Sequence, residues 1–439
     1  MTAEAAILNK SAVALAADSV VTVQYGKDVK TYHTLKLFNL CQSNSVGIMV
    51  YQNAELLSVP WETIIKEYRK HLGANTFPTL EEYAANFLAY LNGNTHLFPE
   101  AVQDEDALTS VSRSYRSIAR QIDQAIKAAT KNGRIGARTI SRITQETVNK
   151  WHDALSNATQ VDSLSAGIEG QIRKKYDDDF NKLIDQLLLP LPLTVRSRNK
   201  LRSIAVWLLT KNLQASSFAL KRLNIAQPFS GVVIAGFGEN DLYPAITTYT
   251  VESPVLNELR YLRVPQKSDR IDADMVARVI AFAQEDVVAG FMEGIDRDFH
   301  IRIIIQLSEV LKAYSAEVVK TIPGLRGKKK KQAWLDSLDK INQTLVKALN
   351  DAMLQYKTER HVQPICRAVS FLPKEDLALM AEALVNLTST KRKVTLDLET
   401  VGGPIDVAVI SKGDGFVWIK RKHYFDADRN PHFFSKYKR

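Results

Sequence analysis

The apolar positions of the chain change period several times, and each change predicts an element. The opening runs Ala5-Ala6-Ile7-Leu8 and Val13-Ala14-Leu15-Ala16-Ala17 are apolar on both alternating faces, with a polar break at Asn9-Lys10. Continuous short apolar runs with such a break read as a hairpin of buried strands. A third strand is expected at Leu35-Lys36-Leu37-Phe38, after a Gly26-Lys27-Asp28 turn, and a fourth at Ser45 to Tyr51. The period then lengthens. Trp61, Ile64, Ile65, Tyr68 and Leu72 form one helical stripe, with Ser58 as its expected cap and Pro60 in its first turn. Thr79-Leu80-Glu81-Glu82 is a capping box opening a helix through Leu91. Val111, Tyr115, Ile118, Ile122 and Ile126 mark a longer helix that stops near Asn132-Gly133. Further helices fit Thr139 to Leu155, Asp178 to Leu188 and Asn199 to Leu213, the last two separated by Pro190 and Pro192.

Strand patterning resumes at Phe229 to Gly238 and at Ala245 to Val251. A helix is expected over Val287 to Gly294, and a second run of helix from about His300 to Thr358. Lys374 to Val385 is strongly amphipathic. After Gly402-Gly403-Pro404 come a strand at Ile405 to Ile410, an Asp414-Gly415 turn and a return strand at Phe416 to Ile419.

Composition narrows the class. At 439 residues, with 45% apolar and 24% charged residues, the chain has ample material for a large core. No window approaches the roughly 18 uninterrupted apolar residues of a membrane span, and a signal peptide is not expected. Cys41 and Cys366 lie among apolar residues and read as buried thiols in a reducing cytoplasm. The formal net charge is +10, concentrated in Lys328 to Lys331, Lys391-Arg392-Lys393, Lys420-Arg421-Lys422 and the tail Lys436 to Arg439. These clusters read as solvated loops, with nucleic-acid binding as the alternative.

Several chemistries find no support. The eight histidines are scattered without metal-ligand spacing, so no metal or other cofactor is expected. No nucleophile elbow or P-loop occurs. In Gly236-Phe237-Gly238, Asp241 stands where a dinucleotide loop needs its third glycine. One constellation stands out. If Met1 is removed, Thr2 carries a hydroxyl and a free α-amine on one residue, and the amine can serve as base for its own hydroxyl.

Thr2, the run Val13 to Asp18 and Lys36 together resemble the opening of proteasome β-type subunits, which are N-terminal nucleophile (Ntn) hydrolases. The resemblance implies an α+β fold, a four-layer αββα sandwich interrupted by two mostly helical insertions. Its core would comprise residues 1–75, 228–300 and 370–425, with insertions at 76–227 and 301–369 and a basic tail at 426–439. Thr2 would attack a peptide carbonyl, and Asp18 would hold Lys36 beneath it. By position, the backbone at Gln52 would supply the oxyanion donor, where the family usually has glycine. The family's serine that supports the terminal amine is absent, and Gln284 stands near its place. The serine before the double glycine is Val401 here and the aspartate preceding it is Leu398, leaving Asp397, Glu399 or Thr400 as substitutes. Implied partners are a peptide or protein substrate, further copies of the chain and a separate ATP-dependent unfoldase. The alternative within the same fold is a catalytically silent scaffold that binds a partner through its helical insertions.

Overall fold

In the computed structural model, the described residues are 3–25, 28–41, 45–94, 96–131, 133–213, 223, 225, 228–323, 325–395, 402–423, 425–426 and 428–432. The strands, in chain order, begin with β1 (Ala3–Asn9), β2 (Ala12–Ala17), β3 (Val20–Tyr25), β4 (Asp28–His33) and β5 (Leu37–Asn39). They continue with β6 (Val46–Gln52), β7 (Glu55–Leu56), β8 (Val59–Pro60), β9 (Ser230–Gly236) and β10 (Ala245–Val255). The last are β11 (Glu258–Arg263), β12 (Asp269–Arg270), β13 (Ala277–Ala283), β14 (Asp406–Ser411) and β15 (Gly415–Lys420). Six helices lie between β8 and β9: α1 (Trp61–Leu72), α2 (Leu80–Gly93), α3 (Glu100–Thr130), α4 (Ala137–Ser156), α5 (Ile168–Leu188) and α6 (Val195–Thr210). Between β13 and β14 come α7 (Glu285–Glu293), α8 (Arg297–Thr321), α9 (Lys328–Lys357), α10 (Gln363–Val369) and α11 (Lys374–Val394). The protein is thus a mixed α/β chain of antiparallel sheets and helices. No described helix is long and apolar enough to cross a membrane.

The chain divides into two compact units. The first comprises residues 1–37, 242–245 and 270–439. Its five-stranded sheet has the order β13-β1-β2-β14-β15. Every residue of β1 and β2 is buried, which is why both read as continuous apolar runs rather than alternating ones. The face formed by Ala3, Ala5, Ile7, Ala12, Ala14 and Ala16 packs with Leu377, Ala381, Leu384 and Val385 of α11. Alanines on that face let a helix approach the sheet closely. Asn9 closes the β1–β2 hairpin from inside: its Oδ1 accepts from Ser11 N (3.0 Å) while its Nδ2 donates to the carbonyls of Val369 and Leu372.

The second unit comprises residues 38–241 and 246–269. Its sheet runs β11-β10-β9-β6-β5. The helical block α3–α6 encloses a core of its own in which Val111, Tyr115, Ile118, Trp151, Phe180 and Ile204 are fully buried. Thr79 caps α2 as expected, its Oγ1 accepting from Glu82 N at 3.3 Å, but the Glu82 carboxylate accepts from Thr79 Oγ1 (3.1 Å) and not from the backbone N–H that a full capping box would use.

Four local expectations are corrected. Leu35 to Phe38 is not one strand: Lys36 precedes β5, and the hairpin β3–β4 fills the preceding stretch, its polar residues having masked it. Residues Gly26 and Lys27 of the expected turn lie outside the described residues. Ser58 does not cap α1. It sits with Leu57 in the tight turn of the β7–β8 hairpin, where both adopt positive φ (47° and 64°), as a two-residue hairpin turn of this hand demands. Strand β13 lies in a stretch given no element by pattern alone, because Arg278 interrupts its apolar residues. The tetralysine is not loop but the first turn of α9, and Lys391 to Lys393 form the last turn of α11.

Candidate functional site

One end of the first unit's sheet gathers charge. Strand β1 begins at Ala3, which pairs with Ala283, the last residue of β13, and the next residue, Glu4, pairs with Ala17, the last residue of β2. Asp18 follows β2 directly and turns its carboxylate into this corner, 1% exposed. One carboxylate oxygen, Oδ1, accepts from the backbone N–H of Ala3 (3.1 Å) and from Lys36 Nζ. The other, Oδ2, accepts from Gly402 N at 2.9 Å. Lys36 is 4% exposed and also donates to Val20 O at 2.9 Å. Charge removed from water this completely is tolerated only when paired and hydrogen-bonded, and here the carboxylate has three donors.

The double glycine has a physical reason at this corner. Gly402 brings its N–H to Asp18, and Gly403 takes φ +77° beside it. A Cβ at Gly403 would stand 2.7 Å from the His33 ring and 2.8 Å from Ser19 Oγ. Ser19 in turn donates to Pro404 O at 2.8 Å, fastening the segment that enters β14 to the end of β2.

A third ionisable group completes the cluster. Glu4 is 2% exposed, and its Oε1 lies 3.5 Å from Lys36 Nζ. Two carboxylates therefore face one ammonium. Sequence reading passes over Glu4, although a signal exists: it is the single charged residue in the strand Ala3-Glu4-Ala5-Ala6-Ile7-Leu8-Asn9.

The other expected residues fall as follows. Gln284 is buried and is the N-cap residue of α7, following directly on β13 and Ala283, whose φ is +61°. Because Ala283 pairs with Ala3, Gln284 emerges at the same end of the sheet as the Asp18–Lys36 pair. Gln52 belongs to the second unit, where it ends β6 opposite Ser230. Its φ is +71°, the left-handed conformation that favours glycine. Thr2, Asp397 and Thr400 lie outside the described residues. Among the described residues, no group of three or more His, Cys, Asp or Glu could hold a metal ion.

The basic residues are placed separately. A groove of about 1180 Å³ in the second unit is lined by Arg113, Arg116, Arg120 and Lys150 above the buried Trp151. It contains none of the residues singled out for catalysis.

No family model matches the chain, and no characterised protein matches it by sequence. Among solved structures it is similar to Anbu (ancestral beta-subunit) from Yersinia bercovieri, at 8% sequence identity over 99% of this chain and 92% of that chain. The TM-score is 0.26, an overlap too low to carry an argument about architecture or activity.

Proposed function

We propose that the chain is a proteasome-like N-terminal nucleophile hydrolase that cleaves amide bonds through Thr2 after loss of Met1, on a four-layer αββα framework. The observation that carries this reading is the carboxylate of Asp18, which binds Lys36 and the N–H of Ala3 at once. Ala3 is the residue joined to Thr2, so the ion pair is tied to the start of β1 and not merely close to it in sequence.

In this mechanism Thr2 Oγ attacks the substrate carbonyl, and the Thr2 α-amine, through a water, takes the hydroxyl proton and passes it to the leaving amine. An acyl–threonine ester forms as the amide C–N bond breaks, and water then hydrolyses the ester. Lys36 holds positive charge near the attacking oxygen, and Asp18 keeps Lys36 in place.

Intact-mass measurement combined with an electrophilic peptide probe tests the proposal. The expected result is a chain lacking Met1 that acquires one probe at Thr2, with labelling abolished in Thr2→Ala. A chain that retains Met1 and takes up no probe overturns it. That outcome would favour the catalytically silent relative, a reading supported by Gln284 standing where the family has its serine.

A further inference from the structure

Helix α9 carries a second apolar face that its own hairpin does not use. Its inner face packs on α8, where Asn342 Nδ2 donates to Ser315 Oγ (2.9 Å) and to Leu311 O (3.3 Å). Leu335, Val346 and Met353 lie partly buried on that side. One step around the helix, Trp334, Leu338, Ile341, Leu345, Ala348 and Ala352 recur at intervals of four, three, four, three and four. That alternation is the a/d seam of a coiled coil. Yet Trp334 is 49% exposed, Ile341 54% and Leu345 53%, and of the seam positions Leu338 alone is partly buried. A helical stripe of this length left in water is the mark of an association surface.

The charges beside the seam select the occupant. The positions flanking it on the side away from α8 are Lys330, Ser337, Thr344 and Asp351. They run from positive through neutral to negative, a sequence complementary to its own reverse. In an antiparallel pair of identical helices, residues on this flank meet their counterparts across a two-fold axis. Lys330 then faces Asp351 of the partner subunit, and Ser337 faces Thr344 of the partner subunit, each contact occurring twice. The seam layers in the same register are Trp334 against Leu345 of the partner subunit and Leu338 against Ile341 of the partner subunit. A parallel pair would instead set the tetralysine against its own copy. Neither Lys330 nor Asp351 makes an ion pair within the chain among the described residues.

We infer that α9 is a self-association helix, which pairs antiparallel with α9 of a second copy and closes the two α8–α9 hairpins into a four-helix bundle. The inference is independent of the proposed chemistry at Thr2.

Sedimentation of the full chain over a range of concentrations, with a charge-swap cycle, tests it. The wild-type chain is expected to dimerise. Lys330→Asp and Asp351→Lys should each weaken the dimer by about tenfold, because each places two like-charge pairs across the axis, and the double swap should restore it. Ile341→Asp should leave a folded chain that no longer pairs, since Ile341 is half-exposed in the single copy. Under oxidation, Ser337→Cys combined with Thr344→Cys should form an intermolecular disulfide. A chain monomeric at every concentration overturns the proposal. So does a dimer indifferent to Ile341→Asp, or a disulfide formed by Leu345→Cys alone, a position whose two copies lie far apart in the antiparallel register and meet only in a parallel pair.

Discussion

The helices α3–α6 close on one another, whereas the α8–α9 hairpin stays open along one side. Both are built from long amphipathic helices, and each contains a tryptophan on an apolar stripe. Trp151, with neighbours on every side, is fully buried, and its Nε1 donates to Gln121 Oε1 at 3.2 Å. Trp334 is half-exposed. The difference lies in the number of partners: a helix surrounded by several others can bury a wide stripe, and a helix with one partner can bury only a narrow one. Enclosure, rather than residue type, sets what each side chain contributes, and the same distinction runs through the charged residues of the first unit.

The sharpest test compares the two tryptophans. Trp151→Ala is expected to destabilise the chain by about 3–5 kcal/mol, through lost burial and the cavity left behind. Trp334→Ala should change the unfolding free energy of the dilute, unassociated chain by less than about 1 kcal/mol. Denaturant unfolding of both variants measures this, and equal losses would break the contrast.

The buried charges should give a comparable effect. Asp18→Ala leaves Lys36 in the sheet corner without its main counter-ion and the N–H groups of Ala3 and Gly402 without their acceptor. A loss of about 3–5 kcal/mol is expected, together with loss of probe labelling at Thr2. Lys330→Ala, which removes a lysine with no ion pair among the described residues, should cost less than about 0.5 kcal/mol in the dilute chain. If Asp18→Ala were as mild as Lys330→Ala, the corner would be hydrated and the proposed chemistry would lose its positioning pair.

Asp406 and Asp414 extend the comparison to pH. Burial pushes the Asp406 carboxyl up, with partial relief from the hydrogen bond it accepts from Lys422 N at 2.7 Å. At exposed Asp414, hydrogen bonds from Lys374 and from Ser411 Oγ hold the carboxyl below its usual range. The signs are opposite. A raised folded value means that the contribution of Asp406 is present below the ordinary aspartate range and is lost as pH rises through the folded value. Asp406→Asn, whose amide oxygen can still accept from Lys422, should therefore raise stability at pH 7, with the gain vanishing in acid. The depressed value of Asp414 means its contribution is full above the ordinary range and fades as pH falls through the folded one. Asp414→Asn should lower stability at pH 7 and converge with wild type in acid. Thermal melts from pH 3 to 7 read both curves, and parallel shifts in one direction would refute the assignment.

These cases show which features the sequence makes legible. The buried hairpin β1–β2, the stripe of α1 and the cap at Thr79 depend on neighbours in sequence, and their patterns point directly to them. Asp18 and Lys36 could be paired from a resemblance because strand order fixes their separation. Glu4 is marked only as the single charged residue of an apolar strand, and its partner appears only when Lys36 is brought beside it. Strand β13 was hidden for a related reason: its place beside β1 is a contact between distant segments. The openness of α9 is invisible in one dimension, since the seam reads the same whether or not something covers it.

The smallest expected effect concerns the tetralysine, which begins α9 at the end where the helix dipole is positive. Four cations in that turn oppose the dipole and repel one another, so nothing local to the helix favours them. Lys329 points away from the proposed seam in the heptad register, so replacing it leaves the pairing contacts intact. Lys329→Glu should stabilise the hairpin by about 0.3–1 kcal/mol at low salt, with the gain screened as ionic strength rises. Thermal denaturation at two salt concentrations measures it. A loss of stability instead would mean that Lys329 already has an anionic partner, and would move the tetralysine from the exposed to the enclosed side of the comparison.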